Sequence, residues 1–551
     1  MKNLLFFIVL IALFGCGQQS QIEIATWEPF NESAILDTSA NHPSARMRFK
    51  LVQSQVLNKN IMLQSISAQL KGFSHEQYLQ LMPLILDQNI PAVQLHIQLG
   101  ELTYEKLVQW FLYRIVLFEN NKDSMLNAVI AINPNAVNEA REKDRLRGKK
   151  SRGGSSHHPI YGMPVLVKDN INVGGMPTTA GAHLLRNHIA PDASIIEQIK
   201  AKGGIILGKT NLSEWANYLF TGGPNGFSAV GGQTLNYYGR GVFDTGGSSS
   251  GSGVAMAANL AMATIGTETS GSILSPSAKS SLVGLKPTIG LLSTEGIIPL
   301  SSTLDTPGPM TRSVVDNAIL LSAMGGGDIA LELLQNHELA SSGESNDNSR
   351  ESHIKNSLEG LRFGVNRAFL ANPLYRNAVD IIAGLGGVVV EFDPVTINFE
   401  GFGTLLSADM KIDLPKYLEK YASSGDVTAR TIEDIIAYNR EDSLLRIPYG
   451  QAIFERTARL SLSEQEHNAL KERLQSEGRR FFETPMLLYN LDIILSVDSF
   501  NARYAAAAHF PCLIVPMGFT PQGQPAGLTL IAKPLQEQLL LKVALTIPHI
   551  N

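Results

Sequence analysis

Two clusters of serine and glycine contain the residue types in this sequence that could do chemistry. GGSSSGSG occupies residues 246–253, and ETSGSILSP occupies residues 268–276. A serine hydroxyl is a weak nucleophile, so it reacts only when a base lies within hydrogen-bond reach. The two clusters therefore raise the question of which serine, if any, has such a partner.

Neither a phosphate-binding loop nor a flexible linker fits the first cluster. The phosphate loop G-x-x-x-x-G-K-[ST] needs a lysine after its glycines, and none stands at Ser252 or Gly253. A Gly/Ser linker would not run directly into VAMAANLAMATIG, residues 254–266, which is apolar enough to be buried. Both alternatives are disfavoured.

A nucleophile elbow is a sharper alternative, because residues 247–251 match G-x-S-x-G with Ser249 at the centre. An elbow needs a hydrophobic strand before it, and GRGVFDTG, residues 239–246, is a poor strand. It also needs a downstream acid and histidine. Five downstream histidines are candidates, none in a distinctive setting: His337, His353, His467, His509 and His549.

The two clusters and an upstream lysine together resemble the amidase signature family. That family combines a K-D-N lysine, a G-G-S-S-G-G-S-A-like stretch, a later D-x-G-G-S-x-x-x-P and then G-L-K-P-T. This chain has PVLVKDNI at residues 164–171, the two serine clusters, and GLKPT at residues 284–288. The likeness runs from about Leu102 to the C-terminus, and GTETSGSI looks closest to the bacterial peptide amidases.

The resemblance assigns catalytic roles by position. It implies that Ser272 is the nucleophile, that Ser248 is the relay serine after a cis peptide bond, and that Lys168 is the base. Ser248 and Ser272 are 24 residues apart, which is the family's own spacing. The resemblance also implies an acyl-enzyme intermediate and requires no metal or organic cofactor. Ser270 departs from the commoner Gly, Ala or Asp of the family.

Two further expectations concern how this chemistry would be supported. A free lysine has a pKa near 10.4, so Lys168 must be kept neutral, and its place after the apolar residues VLV favours desolvation. Backbone N–H groups of Thr269, Ser270 and Gly271, just before Ser272, are expected to form the oxyanion hole.

The elements that must position these residues are predicted from hydrophobic periodicity. The apolar run VLV predicts a strand that ends at Lys168, and IIEQIKAKGGIILGKTN, residues 195–211, predicts a helix, a glycine turn and a strand. Thr103 is expected to cap a helix that contains LVQWFLYRI. The pattern predicts an α/β fold, and the resemblance implies one large domain with a mixed central β-sheet covered by helices on both faces.

The composition indicates a large globular protein, and the distribution of charge favours small molecules as its substrates. The chain has 551 residues, 44% hydrophobic and 17% charged, with a formal net charge of −5. Acidic and basic residues are interspersed, so there is no basic stripe to bind nucleic acid. We expect a small amide or peptide-amide substrate, while the oligomeric state is not predicted.

The N-terminus predicts export and lipidation. Lys2 precedes LLFFIVLIALFG, residues 4–15, which is too short to span a membrane and typical of a signal peptide. Cys16 follows in a lipobox-like setting, so residues 1–15 are expected to be a signal peptide and Cys16 a lipidated first residue. Residues 16–60 would then be tether and extension, and residues 61–551 the amidase domain, with a core of about 102–545. We expect a lipid-anchored protein of the bacterial cell envelope, at the outer membrane.

Three functions remain open at this stage. The first is a membrane-tethered serine amidase, with peptide C-terminal amides as one substrate class. The second is another amide or ester hydrolase of the same family, and the third is a non-catalytic binding protein on the same fold. The second cysteine, Cys512, lies in the apolar run HFPCLIVPMG and is expected to be a buried packing residue.

Overall fold

The computed structural model describes residues 22–147, 157–328, 332–333, 357–422 and 427–548. Cys16 and the predicted signal peptide lie outside these residues. No helix in the described ranges is long and apolar enough to cross a membrane.

Eleven strands form one mixed central sheet, and two short strands form a separate hairpin. The strands are β1 Val129–Ile132, β2 Pro164–Lys168, β3 Ile205–Thr210, β4 Phe227–Ser228, β5 Gly232–Gln233, β6 Ala263–Glu268, β7 Val283–Lys286, β8 Thr306–Thr311, β9 Arg362–Asn366, β10 Val388–Phe392, β11 Ile493–Val497, β12 Cys512–Phe519 and β13 Pro525–Ile531. The large sheet has the order β1-β3-β2-β6-β8-β7-β12-β13-β11-β9-β10.

Strand direction fixes which ends meet at each edge of the sheet. β2 is parallel to both β3 and β6. β6, β8, β7 and β12 are successive antiparallel neighbours, so β12 runs in the opposite sense to β2. Here, an edge of the sheet means the row formed by the ends of its strands. The carboxyl ends of β2 and β6 lie at one such edge, and the carboxyl end of β12 lies at the other.

Nineteen α-helices are described along the same residue ranges. They are α1 Ser33–Ala40, α2 Lys59–Gln69, α3 His75–Ile85, α4 Ile90–Leu99, α5 Tyr104–Glu119, α6 Ala136–Leu146, α7 Ser194–Ala201, α8 Glu214–Asn217, α9 Ser250–Ala257, α10 Leu274–Lys279, α11 Val314–Ala323, α12 Pro373–Gly384, α13 Phe402–Tyr421, α14 Ile432–Glu441, α15 Ser443–Arg446, α16 Ala452–Arg459, α17 Glu464–Tyr489, α18 Ala502–Ala508 and α19 Glu537–Thr546.

Helices cover both faces of the sheet, as β12 shows. Successive side chains of a strand point to opposite faces. Cys512 and Ile514 belong to one apolar cluster with α10, α17 and α18, while Leu513 and Val515 belong to another with α11 and α19. The predicted α/β domain with its mixed sheet between helical layers is confirmed, and Cys512 is fully buried, as expected.

Local predictions hold where the sequence pattern is regular. β2 ends at Lys168, and α7 and β3 occupy the predicted helix–turn–strand segment. Thr103 caps α5, with its side chain accepting a hydrogen bond from the Lys106 N–H. These elements depend on short-range periodicity and capping, which a single sequence displays directly.

The segment before α2 lies against the body of the protein. Ile22, Ile24 and Trp27 pack against the main apolar cluster. Asn120, at the carboxyl end of α5, donates a 2.7 Å hydrogen bond to the Ala25 backbone oxygen.

Candidate active site

Lys168 stands at the end of a buried strand and points at the first serine cluster. β2 is buried along its whole length, and Lys168 is fully buried. Its Nζ lies 2.8 Å from Ser248 Oγ, 2.8 Å from Thr267 Oγ1 and 3.0 Å from the Thr267 backbone oxygen. The parallel register of β2 and β6, with Val167 opposite Ile265, places Thr267 beside the lysine.

Burial also changes the pKa of Lys168. Removal from water disfavours the ammonium form and lowers the pKa of Lys168 from 10.5 to about 7. The carboxyl groups of Asp305 and Glu268 act in the opposite direction, since negative charge favours a protonated lysine. A substantial neutral fraction near pH 7 is what a general base requires.

The Gly247–Ser248 peptide bond is cis, which the family resemblance implied. Ser248 is fully buried, and its backbone oxygen accepts a 3.0 Å hydrogen bond from the Ser213 N–H. A Cβ on Gly247 would lie 2.6 Å from Ser213 Oγ and 3.0 Å from Asn225 Oδ1, so no larger residue fits there unchanged. The glycine is thus required by close packing directly before the relay position.

A buried carboxylate holds the turn that carries Ser272. Glu268, the last residue of β6, accepts hydrogen bonds of 2.7 Å from the Ile273 N–H and 2.9 Å from the Leu274 N–H. Gly271 has φ +106°, a conformation that residues with a side chain rarely adopt. The turn therefore depends on a glycine before Ser272 and on an acceptor at its base.

The two serine clusters are joined through their backbones. The Ser249 N–H donates a 3.1 Å hydrogen bond to the Ser272 backbone oxygen. Ser272 is partly exposed, whereas Lys168 and Ser248 are fully buried. Ser272 thus adjoins the first cluster through its backbone, and it is the one of the three residues with access to solvent.

Thr269 connects the same turn to Asp305, which precedes β8, the neighbour of β6 in the sheet. Its Oγ1 donates a 2.5 Å hydrogen bond to Asp305 Oδ1, and Asp305 Oδ2 accepts from the N–H groups of Leu300 and Ser301 at 2.8 and 2.9 Å. Desolvation raises the pKa of Asp305 to about 6, and these hydrogen bonds limit the rise. Thr269 and Asp305 also line a small pocket together with Thr267.

The other serines of the first cluster are engaged in structure. Ser249 Oγ donates to the Thr267 backbone oxygen at 3.1 Å and accepts from the Thr267 N–H at 3.2 Å. The hydroxyls of Ser250 and Ser252 donate to backbone oxygens at 2.6 and 3.0 Å. Ser249 is fully buried and fixed on β6, so the geometry does not favour a nucleophile elbow.

The described histidines have partners away from the serine clusters. His467 Nε2 lies 2.7 Å from Asp409 Oδ1, between α17 and α13. His509 directly follows α18, and its Nδ1 lies 3.5 Å from Gln475 Nε2. The other three candidates lie outside the described residues: His337, His353 and His549.

Four polar residues of this site were not singled out from the sequence. Thr267 accepts hydrogen bonds from Lys168 and, at 3.0 Å, from Asn170 Nδ2. Glu268 and Asp305 hold the turn around Ser272. Asn170, Glu268 and Asp305 lie in KDN, ETSGS and LDTPGP, and Thr267 directly precedes ETSGS. This position in the sequence was the available hint, but the contacts of the four residues depend on strand pairing.

This combination of fold and site defines the class of protein. The amidase family model matches residues 107–499, and the chain belongs to this family of enzymes, which hydrolyse amide carbon–nitrogen bonds. An Arabidopsis thaliana protein named as a probable amidase is 32% identical over 475 residues, covering 84% of this chain and 89% of its own length.

Solved structures agree with this assignment. An amidase family protein from Bacillus anthracis has a TM-score of 0.79 and 33% identity, covering 90% of this chain and 97% of its own. The native peptide amidase of Stenotrophomonas maltophilia has a TM-score of 0.73 and 33% identity, covering 84% of this chain and 96% of its own.

Proposed function

We propose that this protein is a membrane-tethered serine amidase that uses Ser272 as nucleophile, Ser248 as relay and Lys168 as base. The observation that carries the proposal is the 2.8 Å contact between Lys168 Nζ and Ser248 Oγ, in a fully buried setting. Ser-Lys pairs replace the histidine of a triad in other serine hydrolases. An intact lysine and both serines argue against a binding protein without activity.

The proton path follows the order of the three side chains. Ser272 Oγ attacks the amide carbon while its proton passes to Ser248, whose own proton passes to neutral Lys168. The protonated lysine returns a proton through Ser248 to the departing nitrogen, which leaves an acyl group on Ser272. Water then attacks this ester by the same route, and the acid product and free Ser272 result.

The oxyanion formed in each step needs donors close to Ser272. Backbone N–H groups of Thr269, Ser270 and Gly271 stand in the turn before the nucleophile, and Glu268 and Asp305 fix that turn from two sides. The Gly271 N–H also interacts with the Glu268 carboxylate, so Thr269 and Ser270 are the freer donors. One such donor contributes about 2.7–4 kcal/mol to transition-state stabilisation in measured cases.

The substrate class that we propose is peptides with a C-terminal carboxamide. Support comes from the similarity to a peptide amidase over most of both chains. The partly exposed Ser272 also leaves the proposed nucleophile accessible to a substrate from solvent. Hydrolysis of other amides or of esters is the alternative outcome of the same test.

The membrane location that we propose depends on Cys16. The short apolar run before it and the polar residues GQQSQ after it are typical of a bacterial lipoprotein. A diacylglyceryl group on this cysteine would hold the enzyme on the outer membrane of the cell envelope.

A substrate panel tests this proposal. The full chain and its Ser272→Ala variant are assayed with peptide amides, the matching peptide acids, aryl amides and esters. We expect ammonia release from peptide amides by the parent chain and none by the variant. Preferred turnover of aryl amides or esters would favour the alternative hydrolase, and no turnover of any substrate would contradict the enzyme assignment.

A further inference from the structure

The distance between the proposed lipid anchor and the folded body is short. Ile22, which packs against the main apolar cluster, stands six positions after Cys16. Fully extended, six residues span only about 20 Å. A compact chain of this length has a radius of gyration of about 24 Å and hence a diameter of roughly 60 Å. A lipid on Cys16 therefore holds the face around Ile22 close to the bilayer.

A row of aromatic rings, three of them exposed and one, Phe118, partly buried against the main apolar cluster, borders that face. Phe118, Tyr237, Tyr238 and Phe519 form a chain with ring-centroid distances of 6.3, 5.3 and 5.3 Å. Tyr237 and Tyr238 are each 38% exposed and Phe519 is 37% exposed. Val242, on the same loop as the two tyrosines, is 60% exposed. We name Phe118, Tyr237, Tyr238, Phe519 and Val242 the aromatic surface.

The aromatic surface is continuous with the N-terminal segment at two points. Asn120, two residues after Phe118, holds the Ala25 backbone oxygen at 2.7 Å. Gly241, between the tyrosines and Val242, stands beside Ile35 of α1, since a Cβ there would lie 4.0 Å from Ile35 Cγ2. The surface therefore begins beside the residues that lead back to Cys16.

We infer that the aromatic surface docks on the lipid bilayer that anchors the chain. This inference rests on the proposed lipidation of Cys16. Tyrosine and tryptophan are enriched at the membrane–water interface, because an amphipathic ring buries its apolar body and keeps its polar tip in water. A diacylglyceryl group carries two acyl chains and is a stable anchor by itself. The aromatic surface therefore determines how the anchored body is oriented on the bilayer, and is not needed for attachment.

The sheet topology shows how far the aromatic surface extends. Phe519 ends β12, and β12 runs in the opposite sense to β2, so Phe519 lies at the sheet edge opposite to Lys168. Phe118 adjoins Glu119, whose carboxylate accepts hydrogen bonds from the Ala128 and Val129 N–H groups at the start of β1, and Val129 pairs with Thr210 at the carboxyl end of β3. The aromatic surface therefore reaches both edges of the sheet.

Depth-dependent quenching on vesicles tests the inference with the full chain. The lipidated protein is reconstituted into phosphatidylethanolamine–phosphatidylglycerol vesicles that contain spin-labelled lipid, and Val242→Cys carries an environment-sensitive fluorophore. Cys512 is fully buried and does not compete for the label. We expect a blue shift and strong quenching at this position.

Leu488→Cys is the matched control. Leu488 is 69% exposed and precedes β11, which runs parallel to β12 because both are antiparallel to β13. The control label therefore lies at the sheet edge opposite to Phe519 and eight strand positions from β1, beside which the Val242 loop lies. It is expected to show no quenching. Equal quenching at Val242→Cys and Leu488→Cys on vesicle-bound protein would overturn the inference, as would a dimer that covers the surface instead.

A triple variant separates the surface from the anchor. Tyr237→Ser, Tyr238→Ser and Phe519→Ser together should reduce quenching at Val242→Cys to the control level, while the lipid keeps the protein on vesicles. Quenching that survives in the folded triple variant would overturn the role of the rings. A chain that incorporates no palmitate and does not float with vesicles would overturn the anchor and the docking surface together, a result distinct from the others.

Discussion

Thr269 Oγ1 donates a 2.5 Å hydrogen bond to Asp305 Oδ1, and this bond joins the turn before Ser272 to the residue that precedes β8. The second oxygen of Asp305 accepts from two backbone N–H groups, so both oxygens of the carboxylate accept hydrogen bonds. Asp305 is also the first of the charges that raise the pKa of Lys168. One side chain therefore influences both the proposed oxyanion turn and the proposed base.

Asp305→Asn should lower activity and shift its pH dependence. An amide has only one acceptor oxygen, so buried donors lose a partner at a cost of about 1–3 kcal/mol, and we expect kcat/KM to fall by about ten- to a hundredfold. Removing the negative charge lowers the pKa of Lys168 further, so the acid limb of the kcat/KM profile should move to lower pH.

The control for this variant is Asp492→Asn. Asp492 accepts a 2.8 Å hydrogen bond from the Arg362 N–H and is not among the charges that act on the pKa of Asp305 or of Lys168. It should leave the pH profile close to that of the parent chain. A folded Asp305→Asn variant with an unshifted acid limb would show that this carboxylate does not act on the lysine.

The contacts of Asp305 illustrate where sequence-based prediction ends. β2, its terminal Lys168 and the cap at Thr103 follow from patterns within a few residues, and the structure has them as predicted. Thr269 and Asp305 are 36 residues apart and meet because β6 and β8 pair antiparallel with Glu268 opposite Thr306. Likewise Thr267 reaches Lys168 through the parallel register of β2 and β6. A single sequence displays periodicity but not which strands pair or in which register.

A serine-directed probe should label Ser272 and leave Ser249 unmodified. Ser272 is partly exposed, whereas Ser249 is buried and bonded in both directions to the backbone of Thr267. An organophosphonate or sulfonyl fluoride, followed by peptide mass mapping, identifies the modified residue. Adduct on Ser249 would revive the elbow and reassign the nucleophile.

Ser248→Ala and Ser249→Ala form a matched pair of neighbouring substitutions. Ser248→Ala removes the proposed relay, the hydroxyl that contacts Lys168 Nζ, so turnover should fall by roughly 10²- to 10⁴-fold. Ser249→Ala removes the hydroxyl that accepts from the Thr267 N–H, while the Thr267 backbone oxygen keeps its contact with Lys168 Nζ. It should cost about 1–3 kcal/mol of unfolding free energy, with the proton path intact. Denaturant unfolding and turnover are measured on both, and the opposite ranking of turnover would refute the relay.

Cys16→Ser should abolish lipidation in a bacterial host. Only the thiol can accept the diacylglyceryl group, so labelled palmitate should enter the parent chain and be lost in the variant. The measurement is radioactivity or click-labelled fluorescence of the immunoprecipitated protein. Incorporation that persists in Cys16→Ser would place the lipid elsewhere and remove the basis of the proposed anchor.

Substitution of Lys168 distinguishes a lysine base from a histidine base. Burial lowers the pKa of Lys168 to about 7, so the neutral base is populated above that pH and lost below it. Activity of the parent chain should therefore rise as pH passes through about 7. Lys168→Ala should lower turnover by roughly 10²- to 10⁴-fold in a chain that still unfolds cooperatively.

The histidine variants are the control series. His467→Ala and His509→Ala should lower turnover much less than Lys168→Ala does, since the contacts of these histidines are with Asp409 and Gln475. The remaining single substitutions, at His337, His353 and His549, complete the series. A folded Lys168→Ala chain with near-parent turnover at neutral pH would refute the mechanism, and near-complete loss in one folded histidine variant would identify a different base.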